Sequence, residues 1–241
     1  MMIFSTIAGV TMRALLGRRR TLLMVLLAST PTLLGILVRA NENELSNVGP
    51  TIDGFVVRVV LPLIALVFGT AALGSELDDG TAIHILTKPI GRWTIVLAKT
   101  AVAGTLTAAL VVPSTVLAGL LLGGTGSNNL TNTFAFALAN LVGSYLYVAI
   151  FLTLSVATSR GLIIGLAYSL IWEGVVAGLL PGSQIFSVRE YIGGMAQALA
   201  PNAVADSIVG AGGFLYAAAA LLIAVGLGSA RLATYEVRGT D

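Results

Sequence analysis

Long apolar runs alternate with short polar connectors along almost the whole chain, and each run has the length of a membrane crossing. A hydrocarbon core about 30 Å thick needs roughly 20 consecutive apolar residues in a helix, because only a helix or a closed barrel satisfies its own backbone there. Six runs meet that need, at approximately residues 21–38, 54–74, 93–122, 133–158, 162–180 and 212–232. The second carries Arg58 near one end. The fold class predicted is all-α: a polytopic membrane protein with six transmembrane helices forming a single transmembrane domain over residues 1–241. The spans leave no room for a soluble catalytic domain.

Ahead of the first run, Ile3, Phe4, Ile7, Val10 and Leu15 recur near helical spacing, with Ser5, Gly9 and Arg13 on another face. Residues 1–17 are therefore expected to form an amphipathic helix lying along the inner membrane surface, with Gly17 supplying the bend into the first span. The basic leader and apolar body also suit a signal peptide. The leader is long, however, and no small-x-small cleavage pattern follows, so a retained helix is expected.

Composition sharpens this picture. Of 241 residues, 56% are hydrophobic and 10% charged, against about 45–50% and 25% in ordinary globular chains, which excludes a soluble enzyme or a nucleic-acid binder. The cations cluster. With the amino terminus inside, Arg13, Arg18, Arg19, Arg20, Lys88, Arg92, Lys99, Arg160, Arg231 and Arg238 fall on the inner side, and only Arg39, Arg58 and Arg189 on the outer. Lys and Arg resist translocation, so both termini are expected in the cytoplasm.

The connector between the second and third runs, residues 75–92, carries the most information. Thr81 after Gly80 can cap a helix reaching only to about Thr87, because Pro89 disfavours helix at Lys88. Ile83, Ile85 and Leu86 give that short helix more apolar surface than a solvated loop needs. An acidic entrance (Glu76, Asp78, Asp79) precedes a basic exit (Lys88, Arg92, Lys99).

The run Glu76, Gly80-Thr81, Leu86, Pro89-Ile90, Arg92 and Lys99 resembles the pattern that type-2 ABC permeases, the membrane subunits of ATP-binding-cassette exporters, carry after their second span. The resemblance implies that residues 81–87 form a coupling helix docking on a separate ABC ATPase subunit, with Glu76 at the membrane boundary. Glu76, Gly80, Thr81, Ile83, His84, Leu86, Pro89 and Arg92 become the expected coupling residues. The six-span order, the interfacial helix and residues 181–211 as an outer re-entrant element are also similar to that family. It further implies a second permease subunit, identical or related, surrounding membrane lipid, and a prokaryotic plasma membrane.

Inside the spans, Glu173 is the outstanding charge, near the middle of the fifth run, where an unpaired carboxylate would cost several kcal/mol. It must be protonated, paired or facing water. Arg58 is a candidate counter-ion, and Tyr168, Ser169 and Gln197 are candidate donors. Pairs of glycines four apart (Gly161/Gly165, Gly174/Gly178, Gly119/Gly123) mark close helix packing, within one subunit or across a dimer seam.

Other chemistry is missing. There is no cysteine and a single histidine, His84, so thiol chemistry and Cys/His metal sites are excluded. No Gly-Lys dipeptide occurs, hence no phosphate-cradling loop. The chain is expected not to be an enzyme and to hold no cofactor, with ATP and magnesium on the partner ATPase. Two rivals stand beside the exporter reading: an ion-coupled secondary transporter using Glu173 and Arg58, and a non-transporting subunit relaying ATPase motion to an outer partner.

Overall fold

A computed structural model describes residues 2–41, 48–78, 91–180, 182–203 and 207–234, and among them there is no strand. The expected coupling helix, with Gly80, Thr81, Ile83, His84, Leu86 and Pro89, lies outside the described residues. The main helices are α1 (Met2–Leu15), α2 (Arg18–Asn41), α3 (Leu61–Asp78), α4 (Arg92–Gly123), α5 (Ser127–Ala157), α6 (Gly161–Ala167), α7 (Val188–Leu199) and α8 (Gly213–Ala233). Two π-helical segments interrupt the regular winding: Ile52–Val60 leads into α3, and Tyr168–Val176 continues α6.

Five helices are long and apolar enough to cross a bilayer: Arg19–Ala40, Gly49–Gly74, Arg92–Gly123, Ser127–Ala157 and Gly210–Ala233. The fifth expected run corresponds to a shorter apolar helix, Gly161–Val176, more than half of it wound as π-helix. Two boundaries also differ from expectation. The second crossing begins at Gly49, because the π segment carries Asp53 and Arg58 within a helix that polarity alone would end at Gly54. The fourth begins at Ser127, because the Asn129 amide donates to the Gly123 carbonyl (2.5 Å) and satisfies the end of α4 across the turn.

α5 is the hub, packing against α3, α4, α6, α7 and α8. Glycines make several of these approaches possible. A Cβ on Gly161 would lie 2.7 Å from the Ser155 backbone, and one on Gly165 would lie 2.4 Å from Leu66 and 3.0 Å from Phe151. Both of these glycines therefore serve packing within the subunit, whereas Gly174 meets nothing beyond its own helix. In α2, Pro31 cannot donate to the Leu27 carbonyl, and the Thr30 hydroxyl does so instead (2.7 Å).

α1 is helical as expected, but its faces differ from the expected split. Ile7, Thr11 and Leu15, spaced at i, i+4 and i+8, turn toward the bundle, where Thr11 and Leu15 are buried and α1 packs on α4 and α3. Val10, grouped with them by hydropathy, is 58% exposed. Leu22, Leu26, Leu33 and Leu37 of α2 and Leu215 and Leu222 of α8 are likewise exposed, as apolar side chains on the rim of a membrane bundle should be.

Because the spans alternate in direction, one end of the bundle gathers Arg19, Arg20, Gly74, Arg92, Arg160 and Arg231 and is called here the basic end. The opposite, far end is closed by the short helix α7. At 12 residues α7 is too short to span. It buries Val188, Ile192, Met195 and Ala196 against α5 and α8.

Candidate functional site

Two buried polar centres interrupt the apolar core, one near each end. At the basic end, Lys99 sits roughly 10 Å into α4 from Arg92, and its side chain is 0% exposed. A buried ammonium is tolerated only where acceptors replace its water. Here Lys99 Nζ donates to Glu76 Oε1 (2.6 Å) and to the Ala72 carbonyl (2.6 Å). The two acceptors lie one turn apart on α3, so the amine grips that helix at two levels. The grip joins the end of the second crossing to the start of the third, the two helices that residues 79–91 link in the sequence. Arg92 opens α4 and is half-buried.

At the far end, Glu173 is 3% exposed. Its carboxylate accepts from the Tyr168 hydroxyl (2.9 Å), the Ser187 hydroxyl (2.7 Å), the Val188 N–H (2.9 Å) and the Arg189 N–H (3.3 Å). The last two are first-turn amides of α7, which have no acceptor within their own helix. Glu173 therefore caps α7 from a different helix, and its charge meets the positive end of the helix dipole. The winding makes this reach possible. Residues five apart lie about 140° around an α-helix, and the wider π turn brings Tyr168 and Glu173 to one side.

Asp53 ties the same corner to the second crossing. Its carboxylate accepts from Arg189 Nη2 (3.0 Å) and Nε (3.4 Å), and Arg58 Nη2 approaches at 3.3 Å. Three elements therefore meet there: the π segment Ile52–Val60, the π segment Tyr168–Val176 and the start of α7. Beside them, burial raises the Glu190 carboxyl above the usual carboxylate range; Arg189 pulls it down and Asp53 pushes it further up.

Glu173 thus uses one of the expected donors, Tyr168. The other side-chain expectations are corrected. Arg58 is paired with Asp53 rather than with Glu173, and the Ser169 hydroxyl donates to the Gly165 carbonyl at 3.1 Å. A carboxylate with four neutral donors at a helix amino terminus has no need of a cation. Sequence reasoning missed Ser187, Asp53 and Arg189. The spacing Ser187-x-x-Glu190 is a capping-box signature, and it marked the start of α7.

Two cavities flank these centres. One, of about 510 Å³, lies between α5, α8 and the far-end segment and is lined mostly by apolar side chains with Tyr168, Tyr191 and Tyr216. The other, of about 290 Å³, opens at the basic end between α3, α5 and α6. Among the described residues no cluster of three metal-ligating side chains occurs.

An apolar helical bundle with five helices long enough to cross, a buried ion pair at one end and a capped short helix at the other is the frame of a multi-pass membrane protein. The sequence model of the ABC-2 family transporter proteins matches residues 16–173, a stretch that includes both Glu76–Lys99 and Glu173. The chain belongs to that family of ABC-transporter permeases, which work with an ABC ATPase partner. Among curated proteins none matches it.

Proposed function

We propose that the chain is the transmembrane subunit of an ATP-driven ABC exporter, pairing with a second permease subunit over two ATPase subunits. The basic end faces the cytoplasm in this reading, which the distribution of Lys and Arg supports. The segment from Gly161 onward, with its π winding, completes a sixth span, and α7 belongs to a re-entrant element capping the path. Residues 81–87 take the ATPase push, with Glu76, Gly80, Thr81, Ile83, His84, Leu86, Pro89 and Arg92 as coupling residues.

The observation that carries this reading is the Lys99 grip on Glu76 and Ala72. A push on a connector moves two helices together only if they are joined near the connector, and Lys99 joins them there. ATP-driven closure would tilt α3 and α4 as one lever and favour one facing of the path, provided cargo binds the two facings differently. The apolar cavity with its three tyrosines supports an amphipathic cargo.

The test is purification from the native membrane followed by mass spectrometry of the co-purifying chains and reconstitution into vesicles. An ATPase subunit with a phosphate-binding loop is expected to co-purify. Replacing Ile83 and Leu86 by aspartate is expected to lower transport per ATP hydrolysed about tenfold while the thermal transition of the spans stays in place. Full transport by the chain alone, without a nucleotide-hydrolysing companion, would overturn the reading in favour of an ion-coupled transporter. Cargo movement unaffected by loss of hydrolysis would do the same.

A further inference from the structure

The cavity at the basic end has one cation and several hydroxyls in its lining. Its 290 Å³ are lined by Arg20 from α2, Thr70 and Gly74 from α3, and Ser155, Thr158 and Ser159 around the turn into α6. No carboxylate is among the lining residues that are described. Arg20 is half-buried and, among the described residues, has neither an ion-pair nor a hydrogen-bond partner. A cation withdrawn that far from water gains most from an anionic ligand brought to it.

The hydroxyls divide into spent and available donors. Thr70 donates to the Leu66 carbonyl (2.7 Å) and Ser155 to the Leu152 carbonyl (2.7 Å), so neither has a proton left to give. Thr158 Oγ1 instead accepts from the Arg160 N–H (3.3 Å), which leaves its own proton free. Ser159 has no partner among the described residues. The lining residues thus carry one guanidinium fork and two O–H donors, a donor set suited to the several acceptor oxygens of a phosphate group.

The walls show where such a group would come from. Val67, Ala71 and Leu162 complete the lining, and Leu162 and Ile163 continue outward as an exposed apolar face, 51% and 64% exposed. A phosphate held at Arg20 would sit at headgroup depth, with hydrocarbon alongside that face.

We propose that this cavity is a binding site for a phosphate group, recognised by Arg20 with Thr158 and Ser159, with a membrane lipid headgroup and free inorganic phosphate as its two sources. The site stands independently of the exporter reading, because its test reads binding and not transport.

The experiment is native mass spectrometry of the purified chain with its co-purifying partners, with phosphatidic acid, phosphatidylcholine and inorganic phosphate added in separate arms. Phosphatidic acid is expected to be retained through release from detergent, and Arg20→Gln to reduce that retention about tenfold, the loss of a charge-assisted forked contact. Arg20→Lys, which keeps the charge and loses the fork, falls in between. Thr158→Val with Ser159→Ala reduces retention about threefold and leaves Arg20 in place should its own replacement fold poorly. Arg19→Gln, at the exposed neighbouring position, changes it less than about twofold. Displacement of the lipid by inorganic phosphate supports the site and assigns it to free phosphate, and resistance to displacement assigns it to lipid. Equal losses in Arg19→Gln and Arg20→Gln, or equal retention of phosphatidylcholine and phosphatidic acid unaffected by any variant, would overturn the proposal.

Discussion

The two ends of the bundle solve the problem of a buried charge in opposite ways. At the basic end a fully buried ammonium is matched by a carboxylate, and the pair joins two long helices side chain to side chain. At the far end a buried carboxylate is matched by two hydroxyls and two backbone amides, and it joins the π segment Tyr168–Val176 to the amino terminus of a short helix. The first arrangement is concentrated in one pair: Lys99 without Glu76 is an ion in an apolar core with the Ala72 carbonyl as its one remaining partner. The second is divided among four donors, so it weakens in steps. A bundle built this way ties α3 to α4 by a single strong pair and holds its far-end cap by contacts that can be released one at a time.

The largest effect expected follows from the first arrangement. Glu76→Leu strands the Lys99 ammonium with only the Ala72 carbonyl and should cost about 3–5 kcal/mol, read as a lowered thermal transition in detergent. Lys99→Met should cost less, because the abandoned Glu76 side chain keeps 18% of its surface exposed and can turn to water. The double variant Glu76→Leu/Lys99→Met should recover most of the loss, since replacing a buried pair by apolar groups is often neutral. Equal damage from both single variants would contradict the escape of Glu76 to water, and no recovery in the double would show that the pair does not act as a unit.

Glu173→Gln comes next. The amide keeps one acceptor oxygen but turns an NH2 group toward donors, and charge-assisted bonds of this kind are worth about 1.5–3 kcal/mol. Because the clasp holds α7, the loss should be local. The chain has no cysteine, so Ala196→Cys, at a position with 0% exposure, reports on the cap. Maleimide labelling of that cysteine should be slow with Glu173 present and at least about tenfold faster beside Glu173→Gln. Ser187→Ala, which removes a single 2.7 Å bond, should cost about 1 kcal/mol and accelerate labelling only a few-fold. Labelling equally fast in both variants would contradict the stepwise character of this centre.

How much of this was legible in the sequence depends on what kind of group makes each contact. The crossings were legible because each is a long apolar run, and Glu173 because one acid stands out among apolar neighbours. Its partners were not. Backbone amides leave no mark on a sequence, and the π winding that turns Tyr168 and Glu173 to one side has no compositional signature. Glu76 and Lys99 were legible singly, as the acid ending one span and the cation early in the next, while their pairing depends on how α3 and α4 pack. Hydropathy grouped Val10 with Ile7 and Leu15 because it cannot tell a face turned to the bundle from one turned outward.

Arg58 is the point at which proximity of charge in the sequence and geometry in the fold diverge most, and its variant should have the smallest effect. Opposite sign made it the natural counter-ion for Glu173. In the fold it lies five residues from Asp53 on the same π segment, contacts it at 3.3 Å, and keeps 43% of its side chain exposed. Such a pair is worth about 0.2–0.5 kcal/mol, less at high salt. Arg189 meets the same carboxylate with two nitrogens, is 17% exposed, and arrives from a different element, so Arg189→Gln should cost about 1 kcal/mol and loosen α7. Arg58→Gln should therefore leave both the thermal transition and the labelling of Ala196→Cys within about a twofold change. A loss from Arg58→Gln as large as that from Glu173→Gln would mean that the buried carboxylate depends on a distant cation after all, and the contrast between the two ends of the bundle would collapse.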